Sequence, residues 1–308
     1  MLYFIVNPNA GNGRGGKIWG RLERRLRFSG VEYQAMITEA PGDSQHYIRQ
    51  LTDNSHEPLL IVAVGGDGTF NEVLNGLPFS GQVTLGYIPT GSDNDLARCL
   101  GLPGSPRRCL KKLLKSQGRR TLDYGVLTYE AGTPVHRRFL VSSGIGYDAA
   151  VSHALLNTRS KGRLRFPHRG RFGYVLMGLR QIFRTKPVSG YLMLDGVKRV
   201  EFNHIYFVTA HILPYKGRGF CFAPKADASD GLLEVCVFHQ SSRWKLIPVL
   251  RDISLGRVRS HAGLRTFRCQ ELQVHLDSPM PVHTDGESCF CQTDITMHCI
   301  KQKLRVVV

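Results

Sequence analysis

Residues 61–76, IVAVGGDGTFNEVLNG, set an apolar, β-branched run directly before two glycines, a carboxylate, a third glycine and a threonine. With the preceding Pro58-Leu59-Leu60 the run is continuously apolar, the pattern of a strand buried on both faces of a parallel sheet. From Thr69 onward the apolar residues recur at helical spacing. A buried strand that breaks into glycines and re-forms as a helix is half of a βαβ unit. The same alternation extends to both sides. LYFIVNP reads as a strand, and GRGGKIWGRLERRLRFSG as a glycine-rich turn leading into an amphipathic helix that ends near Gly30. VEYQAMIT is a strand, and DSQHYIRQLTDN a helix with Asp43 or Ser44 as its N-cap. TLGYIPTGS is a strand and loop, and NDLARCLGL a helix stopped by Gly101 and Pro103. Short strands separated by helices predict a doubly wound parallel α/β sheet.

After Asp123 the period changes. TLDYGVLTYE, HRRFLVSSGIG, GYLMLDGVKRVEFNHIYFVTAHI, GLLEVCVFHQ, LRTFRCQELQVHLDSPMPVHTDGES and MHCIKQKLRVVV alternate at period 2 between Gly, Asp and Pro breaks. They predict a mainly antiparallel β-sandwich, interrupted by helical stretches near 148–185 and 242–255. The expected organisation is an α/β nucleotide-binding domain over 1–122 and a β-rich domain over 123–290. Residues 291–308 form a C-terminal strand free to return to the first domain.

The chain of 308 residues is 42% apolar, enough for sizeable cores. Its 41 Lys+Arg against 24 Asp+Glu make the net charge +17. That excess attracts anionic partners: a phosphorylated ligand, a membrane surface or nucleic acid. No stretch approaches the ~20 apolar residues that span a bilayer. The N-terminal apolar run ends at Val6 and lacks a basic flank, so it reads as a first strand and not as a signal peptide. The eight cysteines are scattered, with only Cys289 and Cys291 as a C-x-C, and read as reduced thiols of a cytoplasmic protein.

Ligands of open parallel sheets bind beyond the carboxyl ends of the strands. Four loops leave such ends, at 7–17, 38–43, 65–71 and 89–95, and all are rich in Gly, Asn, Asp, Ser or Thr. Backbone N–H groups in such loops can cradle phosphate oxygens. Gly11, Gly16 and Lys17 stand at phosphate-loop offsets, but Ile18 replaces the expected Ser/Thr. Gly11, Gly13 and Gly16 also satisfy G-x-G-x-x-G, and a plain tight turn is a third reading. In GGDGT the informative residue is Asp67. A carboxylate where backbone donors await an anion asks for a divalent cation between them. Capping of the helix that starts near Thr69 is the structural alternative, and it would not exclude the metal role.

GGDGTFNEVLNG together with PTGSDNDLAR resembles the diacylglycerol kinase catalytic family, in particular its small bacterial lipid kinases. NPNAGNGRGGK resembles the opening motif of that family, SSGIGYDAAV (142–151) its mid-chain glycine–acid motif, APKADASDGLLEV (223–235) its Pro…Asp-Gly motif, and PVHTDGES (281–288) its late Asp-Gly-Glu. The resemblance covers nearly the whole chain, with the motifs in order. It implies ATP and Mg2+ bound in a cleft between the two domains. Asn7, Gly11 and Lys17 of the opening motif, Thr38, the run Gly65, Gly66, Asp67, Gly68, Thr69, Phe70 and Asn71, and Ser92 match nucleotide-binding positions. Ser92 departs from the usual Thr but keeps a hydroxyl. By the same resemblance Asp67 and Asp95 sit around the catalytic magnesium, and Glu287 is the general base. A structural magnesium is implied at Asp230, completed by the backbone carbonyls of Asp227 and Leu232. Taken alone, Asp285-Gly286 is an ordinary hairpin turn.

Residues 157–187 carry nine basic side chains and no acid: Arg159, Lys161, Arg163, Arg165, Arg169, Arg171, Arg180, Arg184 and Lys186. Phe166, Phe172, Tyr174, Leu176, Leu179, Ile182 and Phe183 are interleaved. This composition suits peripheral contact with an anionic membrane; the alternative is a helix that covers the β domain while its arginines are solvated. No nucleic-acid-binding signature accompanies it, so no nucleic acid is expected. The sequence-level function is therefore an ATP-dependent lipid kinase acting on diacylglycerol or a related lipid such as phosphatidylglycerol. A kinase of a soluble substrate, as in NAD kinases that share GGDGT, and a non-catalytic nucleotide- or membrane-binding protein are the alternatives. The sequence leaves open the acceptor lipid and whether the chain forms a homodimer.

Overall fold

A computed structural model describes residues 1–53, 55, 57–78, 83–115, 118–160, 171–217, 219–257 and 259–308, with side chains of 157–160 and 171–174 left aside. The chain forms two compact units, Met1–Asp123 with Gln302–Val308, and Tyr124–Lys301.

The first unit alternates as its hydrophobic periods dictate: β1 (Leu2–Val6), α1 (Ala10–Phe28), β2 (Tyr33–Ile37), α2 (Asp43–Asp53), β3 (Leu59–Gly65), α3 (Asp67–Gly76), β4 (Val83–Pro89), α4 (Asp95–Cys99) and α5 (Pro106–Leu114). The strands are parallel in the order β2-β1-β3-β4. The final strand of the chain adds a fifth member, with Arg305 and Val306 parallel to Thr84 and Leu85. Phe4, Val6, Val62 and Val64 face α1 and α5 through Trp19, Leu22, Leu26, Leu110 and Leu113. The opposite face meets α3, where Phe70 packs edge-on against Tyr87 at 5.2 Å. Helices on both faces explain why β3 is apolar without alternation. The helix α5 is an element that the hydrophobic pattern did not announce. It starts with Ser105 at its N-cap position and Pro106 in the first turn, a start signal for a short amphipathic helix.

The second unit contains β5 (Arg119–Glu130, shared with the first), β6 (Pro134–Phe139), β7 (Ser142–Gly146), α6 (Tyr147–Ser160), α7 (Arg171–Arg184), β8 (Val188–Leu194), β9 (Lys198–His211), β10 (Tyr215–Lys216), β11 (Phe220–Cys221), β12 (Leu233–His239), α8 (Leu246–Ser254), β13 (Leu264–Cys269), β14 (Glu271–Thr284) and β15 (Glu287–Val307). A short 3₁₀ turn, Arg243–Lys245, precedes α8. Within this unit the strand pairs are antiparallel. The long strands β9 and β14 are bridged by β8 over one half of their length and by β7 over the other. β12 and β13 extend the β9 side, and β15 the β14 side. Helices α6, α7 and α8 cover a core of Tyr147, Val151, Ile182, Tyr206, Phe207, Phe238, Leu246 and Val249. The period-2 stretch HRRFLVSSGIG is two strands and not one. Asp285 breaks it, because its carboxylate takes the N–H groups of Leu140, Val141 and Ser142 at 2.9 Å each. All eight cysteines are free.

Candidate active site

In the first unit the glycine-rich loops meet at the carboxyl ends of β1, β3 and β4. Gly11, Asn12 and Gly13 take left-handed conformations, with φ between 60° and 81°, and so interrupt the start of α1. At Gly11 a side chain would lie 2.4 Å from the Thr90 carbonyl, which binds the first loop to the PTGSDND loop. Gly65 is required on similar grounds: a Cβ there would sit 2.4 Å from Thr69 Oγ1. Gly66 and Gly91 cross backbone to backbone, a contact that only two glycines allow. Asn7 ties two loops together. Its Nδ2 donates to Thr69 Oγ1 at 3.0 Å, and its Oδ1 accepts from Asn9 N–H at 3.0 Å.

The residues expected to bind nucleotide divide into two sets. Gly65, Gly66, Asp67, Gly68 and Thr69 gather at the N-terminus of α3, beside Gly91, Ser92 and Asp95. Lys17 and Ser92 are exposed, Lys17 on α1 and Ser92 at the tip of its turn. Thr38, Phe70 and Asn71 point inward. Thr38 Oγ1 donates to the Val6 carbonyl, Phe70 stacks in the core, and Asn71 accepts from Asn75 Nδ2. The amides of Gly13 and Gly16 are already given to the carbonyls of Asn9 and Pro8. Asp43 and Ser44, the alternatives expected for the cap of α2, are its first two helical residues, and the Asp43 carboxylate accepts from Glu39 and Ala40 N–H.

Asp67 is the centre of this group. Its Oδ2 accepts from Asp95 N–H at 2.8 Å; its Oδ1 accepts from the Tyr87 hydroxyl at 3.1 Å and from Leu96 N–H at 3.4 Å. All three donors are neutral. Enclosure by the protein and the nearby charge of Asp95 push the Asp67 carboxyl up to about 7. Asp95 is buried and pairs with Arg98 Nη1 at 2.6 Å. A half-buried carboxylate whose donors among the described residues are all neutral is a group that a divalent cation would complete. Asp67 therefore fits the magnesium that its motif implies, whereas the Asp95 carboxylate is already neutralised by Arg98 and does not fit a magnesium ion as it stands.

The second unit presents Glu287 at the first position of β15, opposite Thr284 across a two-residue turn. Asp285 and Gly286 occupy that turn with φ of 48° and 91°, the type I′ geometry that matches hairpin twist. The three N–H bonds to the Asp285 carboxylate fasten the turn to the segment between β6 and β7. At the other proposed metal site the arrangement differs. Asp230 Oδ1 accepts from Leu232 N–H at 2.8 Å, and Oδ2 is paired with the Arg268 guanidinium. Arg268 Nε also lies 3.6 Å from Glu234 Oε2. Asp227 Oδ1 is taken by the amide and hydroxyl of Ser229. With its carboxylate already neutralised by a guanidinium, the set Asp227, Asp230 and Leu232 does not fit a magnesium ion as it stands.

Comparison with known proteins finds two family domains along the chain. Residues 1–126 match the diacylglycerol kinase catalytic domain. Residues 141–308, more than half of the chain, match the YegS C-terminal NAD kinase beta sandwich-like domain. The chain belongs to the family defined by the YegS C-terminal NAD kinase beta sandwich-like domain, and its first 126 residues match a diacylglycerol kinase catalytic domain. It is similar to a diacylglycerol kinase of Mycobacterium tuberculosis strain H37Rv, 28% identical over 92% of this chain and 87% of that one. A diacylglycerol kinase of Bacillus subtilis strain 168 is 25% identical over 92% and 88%. The crystal structure of a diacylglycerol kinase from Bacillus anthracis strain Sterne shares the fold, with a TM-score of 0.72 at 20% identity, covering 99% of this chain and 96% of that one.

Against this family background, several residues that shape the site were not singled out by motif. Tyr87 stands one turn of sheet from the GGDGT loop and holds Asp67 by its hydroxyl; in the sequence it is one more apolar residue of a strand. Asp123, fully buried, accepts from Gln302 N–H at 2.7 Å and joins β5 to the end of β15 within the first unit. An acid inside the apolar run TLDYGVL is the signal that could have found it. Thr90 Oγ1 is buried without a hydrogen-bond partner among the described residues, two positions before the proposed Ser92.

Proposed function

We propose that this chain is an ATP-dependent lipid kinase that transfers the γ-phosphate to a lipid hydroxyl, of diacylglycerol or a related lipid such as phosphatidylglycerol. The observation that carries the reading is Asp67: a carboxylate with only neutral donors, beside Asp95, at a helix N-terminus in a crossing of glycine loops. Phosphoryl transfer needs positioned phosphates, neutralised charge and a base for the acceptor hydroxyl. The N-terminus of α3 and the Gly65–Gly66 turn face phosphate with backbone N–H groups and the positive end of the helix dipole. Asn7 and Thr69 hold the loops in register. Magnesium, when bound with ATP, would neutralise phosphate charge, and Asp67 is the residue that would hold it, with Asp95 beside it only after release from Arg98. Glu287 takes the proton of the lipid hydroxyl as its oxygen bonds to the γ-phosphorus and ADP departs.

The relatives named diacylglycerol kinase support this reading, as does a surface suited to lipid. On α7, Val175, Leu176, Leu179 and Phe183 are exposed, while Ile182 is in the core. Phe183 meets Trp244 edge-on at 5.5 Å, and these two rings are 54% and 61% exposed. Arg243 Nη1 donates to the Phe183 carbonyl at 3.2 Å, and Arg180, Arg184, Lys186 and Lys245 lie close to these residues in sequence. Exposed apolar side chains in a segment rich in basic residues suit the interface of an anionic bilayer. Of the other basic residues expected to contribute, Lys161, Arg163, Arg165 and Arg169, with Phe166, lie outside the described residues. The side chains of Arg159, Arg171, Phe172 and Tyr174 do so as well. Among the described residues no helix is long and apolar enough to cross a membrane.

The deciding measurement is transfer of label from γ-labelled ATP with Mg2+ to vesicles containing diacylglycerol, phosphatidylglycerol, sphingosine or ceramide. At least one lipid is expected to be labelled; labelling of NAD and of no lipid would overturn the proposal in favour of a soluble acceptor. Replacing both Phe183 and Trp244 by Ser should weaken sedimentation with anionic vesicles by about tenfold, since each ring buries apolar area in the interface. Activity on a short-chain, dispersed lipid should be retained. Equal vesicle binding by variant and wild type would remove this surface from the membrane reading.

A further inference from the structure

Beneath the Asp285–Gly286 turn lies a group of buried ionisable side chains that the proposed reaction does not use. Asp148 in the first turn of α6, Lys216 on β10 and His283 on β14 are 1%, 6% and 0% exposed. Lys216 Nζ donates to Asp148 Oδ2, and the same oxygen lies 2.7 Å from His283 Nε2. On the other side of the ring, the Gly286 N–H donates to His283 Nδ1 at 3.2 Å. Two more titratable groups face the cluster. One is His211, fully buried with Nε2 3.1 Å from Thr209 Oγ1, and the other is Asp285. All of these residues belong to the second unit.

The Gly286 N–H at Nδ1 and the Asp148 oxygen at Nε2 favour one tautomer of the ring. A backbone N–H aimed at Nδ1 leaves that nitrogen without a proton, so the ring proton resides on Nε2 and is donated to Asp148. Lys216 Nζ, 3.0 Å from Nε2, would be repelled by a charged ring. Burial and the Lys216 charge both lower the proton affinity of His283, against the pull of Asp148 and Asp285. Lys216 thus compensates Asp148 and keeps the imidazole neutral. Without it, a buried unpaired carboxylate would draw a second proton onto the ring. Nδ1 would then become a donor facing the Gly286 N–H, and the turn would lose that anchor.

We infer that Asp148, Lys216 and His283 are a positioning cluster for Glu287, which holds the Gly286 amide through a neutral imidazole and so fixes where the carboxylate after the turn is presented. Asp285 secures the turn from one side through three backbone N–H groups, and His283 secures it from the other. The inference rests on the reading of Glu287 as the base.

It is tested on the full chain by single-turnover rates and ATP affinity of His283→Asn, His283→Gln, Glu287→Gln and the double variant of the last two. Asn reaches the Nδ1 position and keeps an acceptor for Gly286; Gln reaches the Nε2 position and keeps only the contact to Asp148. His283→Gln should lose about tenfold or more in rate with ATP affinity within about twofold, and His283→Asn should stay within about threefold of wild type. Because His283 acts through Glu287, the double variant should be no slower than Glu287→Gln alone. Equal losses in the Asn and Gln variants, or full additivity in the double variant, overturn the inference. Unchanged turnover in Glu287→Gln overturns the base reading on which it rests, whereas a crippled Glu287→Gln beside an unaffected His283→Gln overturns the cluster's role alone. Lys216→Met should move the acidic fall of the rate to higher pH, because His283 then protonates more readily; an unshifted profile counts against the cluster. The wild-type protein supplies a measurement independent of variant folding. Nitrogen-15 spectra of histidine-labelled chain should show His283 protonated at Nε2 and bare at Nδ1 from about pH 6 to 9. A proton on Nδ1 overturns the inference.

Discussion

Glu287→Gln lowers kcat by about 10²–10⁴-fold, the range expected when a positioned general base is removed, and leaves ATP affinity within about twofold of wild type. The substitution is nearly isosteric, and the features that place the residue are untouched. The type I′ turn depends on Asp285 and Gly286, and its anchor is the Asp285 carboxylate on three backbone N–H groups. The loss therefore reports proton transfer and not collapse of the hairpin. Rate and affinity measured on the same preparation, with a thermal midpoint for each, separate the two. Turnover equal to that of wild type removes Glu287 from the role of base.

Asp67→Asn has two effects of opposite sign. Turnover should fall about 10³-fold, equivalent to ~4 kcal/mol of lost transition-state stabilisation. Stability without metal at pH 8 should rise. The folded chain holds the Asp67 carboxyl at about 7, against an ordinary value of 3.8. Between those values the folded state binds a proton that the unfolded state has released. The stability of the wild type therefore falls as pH rises through that window, and the ionised, folded form is penalised above it. Asn carries no charge to penalise, and its carbonyl oxygen still accepts from the Asp95 N–H. Thermal midpoints in EDTA at pH 5 and pH 8 test this. The wild type should lose more stability than the variant between the two, and a variant less stable than wild type at pH 8 would overturn the account.

Much of the first unit was legible because its signals are local. IVAVGGDGT carries a buried strand, a glycine break and a helix start within one short stretch, and each depends only on side-chain period and backbone freedom. The change to period 2 after Asp123 likewise announced an antiparallel unit. What escaped was non-local or two-faced. HRRFLVSSGIG has an unbroken strand pattern, yet Asp285, more than a hundred residues on, cuts it by capturing three amides. Thr38 and Phe70 sit within the expected binding runs, but their side chains turn into the sheet, a choice made by neighbouring strands. On α7 both faces are apolar, so periodicity could not say that Ile182 is core while Leu176, Leu179 and Phe183 are left outside. Asp230 carried a metal-site motif, and only folding brought Arg268 to it.

Order along the chain was enough to determine the two-unit architecture, the glycine loops at the ends of parallel strands, and the carboxylates that the proposed reaction would use. These follow from short-range periodicity and from the few residues that tolerate tight backbone approach. Tertiary structure alone decided how those carboxylates are charged and held. Asp67 owes its raised proton affinity to enclosure and to Asp95; the turn before Glu287 is tied by Asp285 to three amides and by the Gly286 N–H to His283, which meets Asp148 across a separation of 135 residues. Proton affinity and hydrogen-bond geometry depend on which groups become neighbours in space, and a linear pattern does not carry that information until the chain has folded.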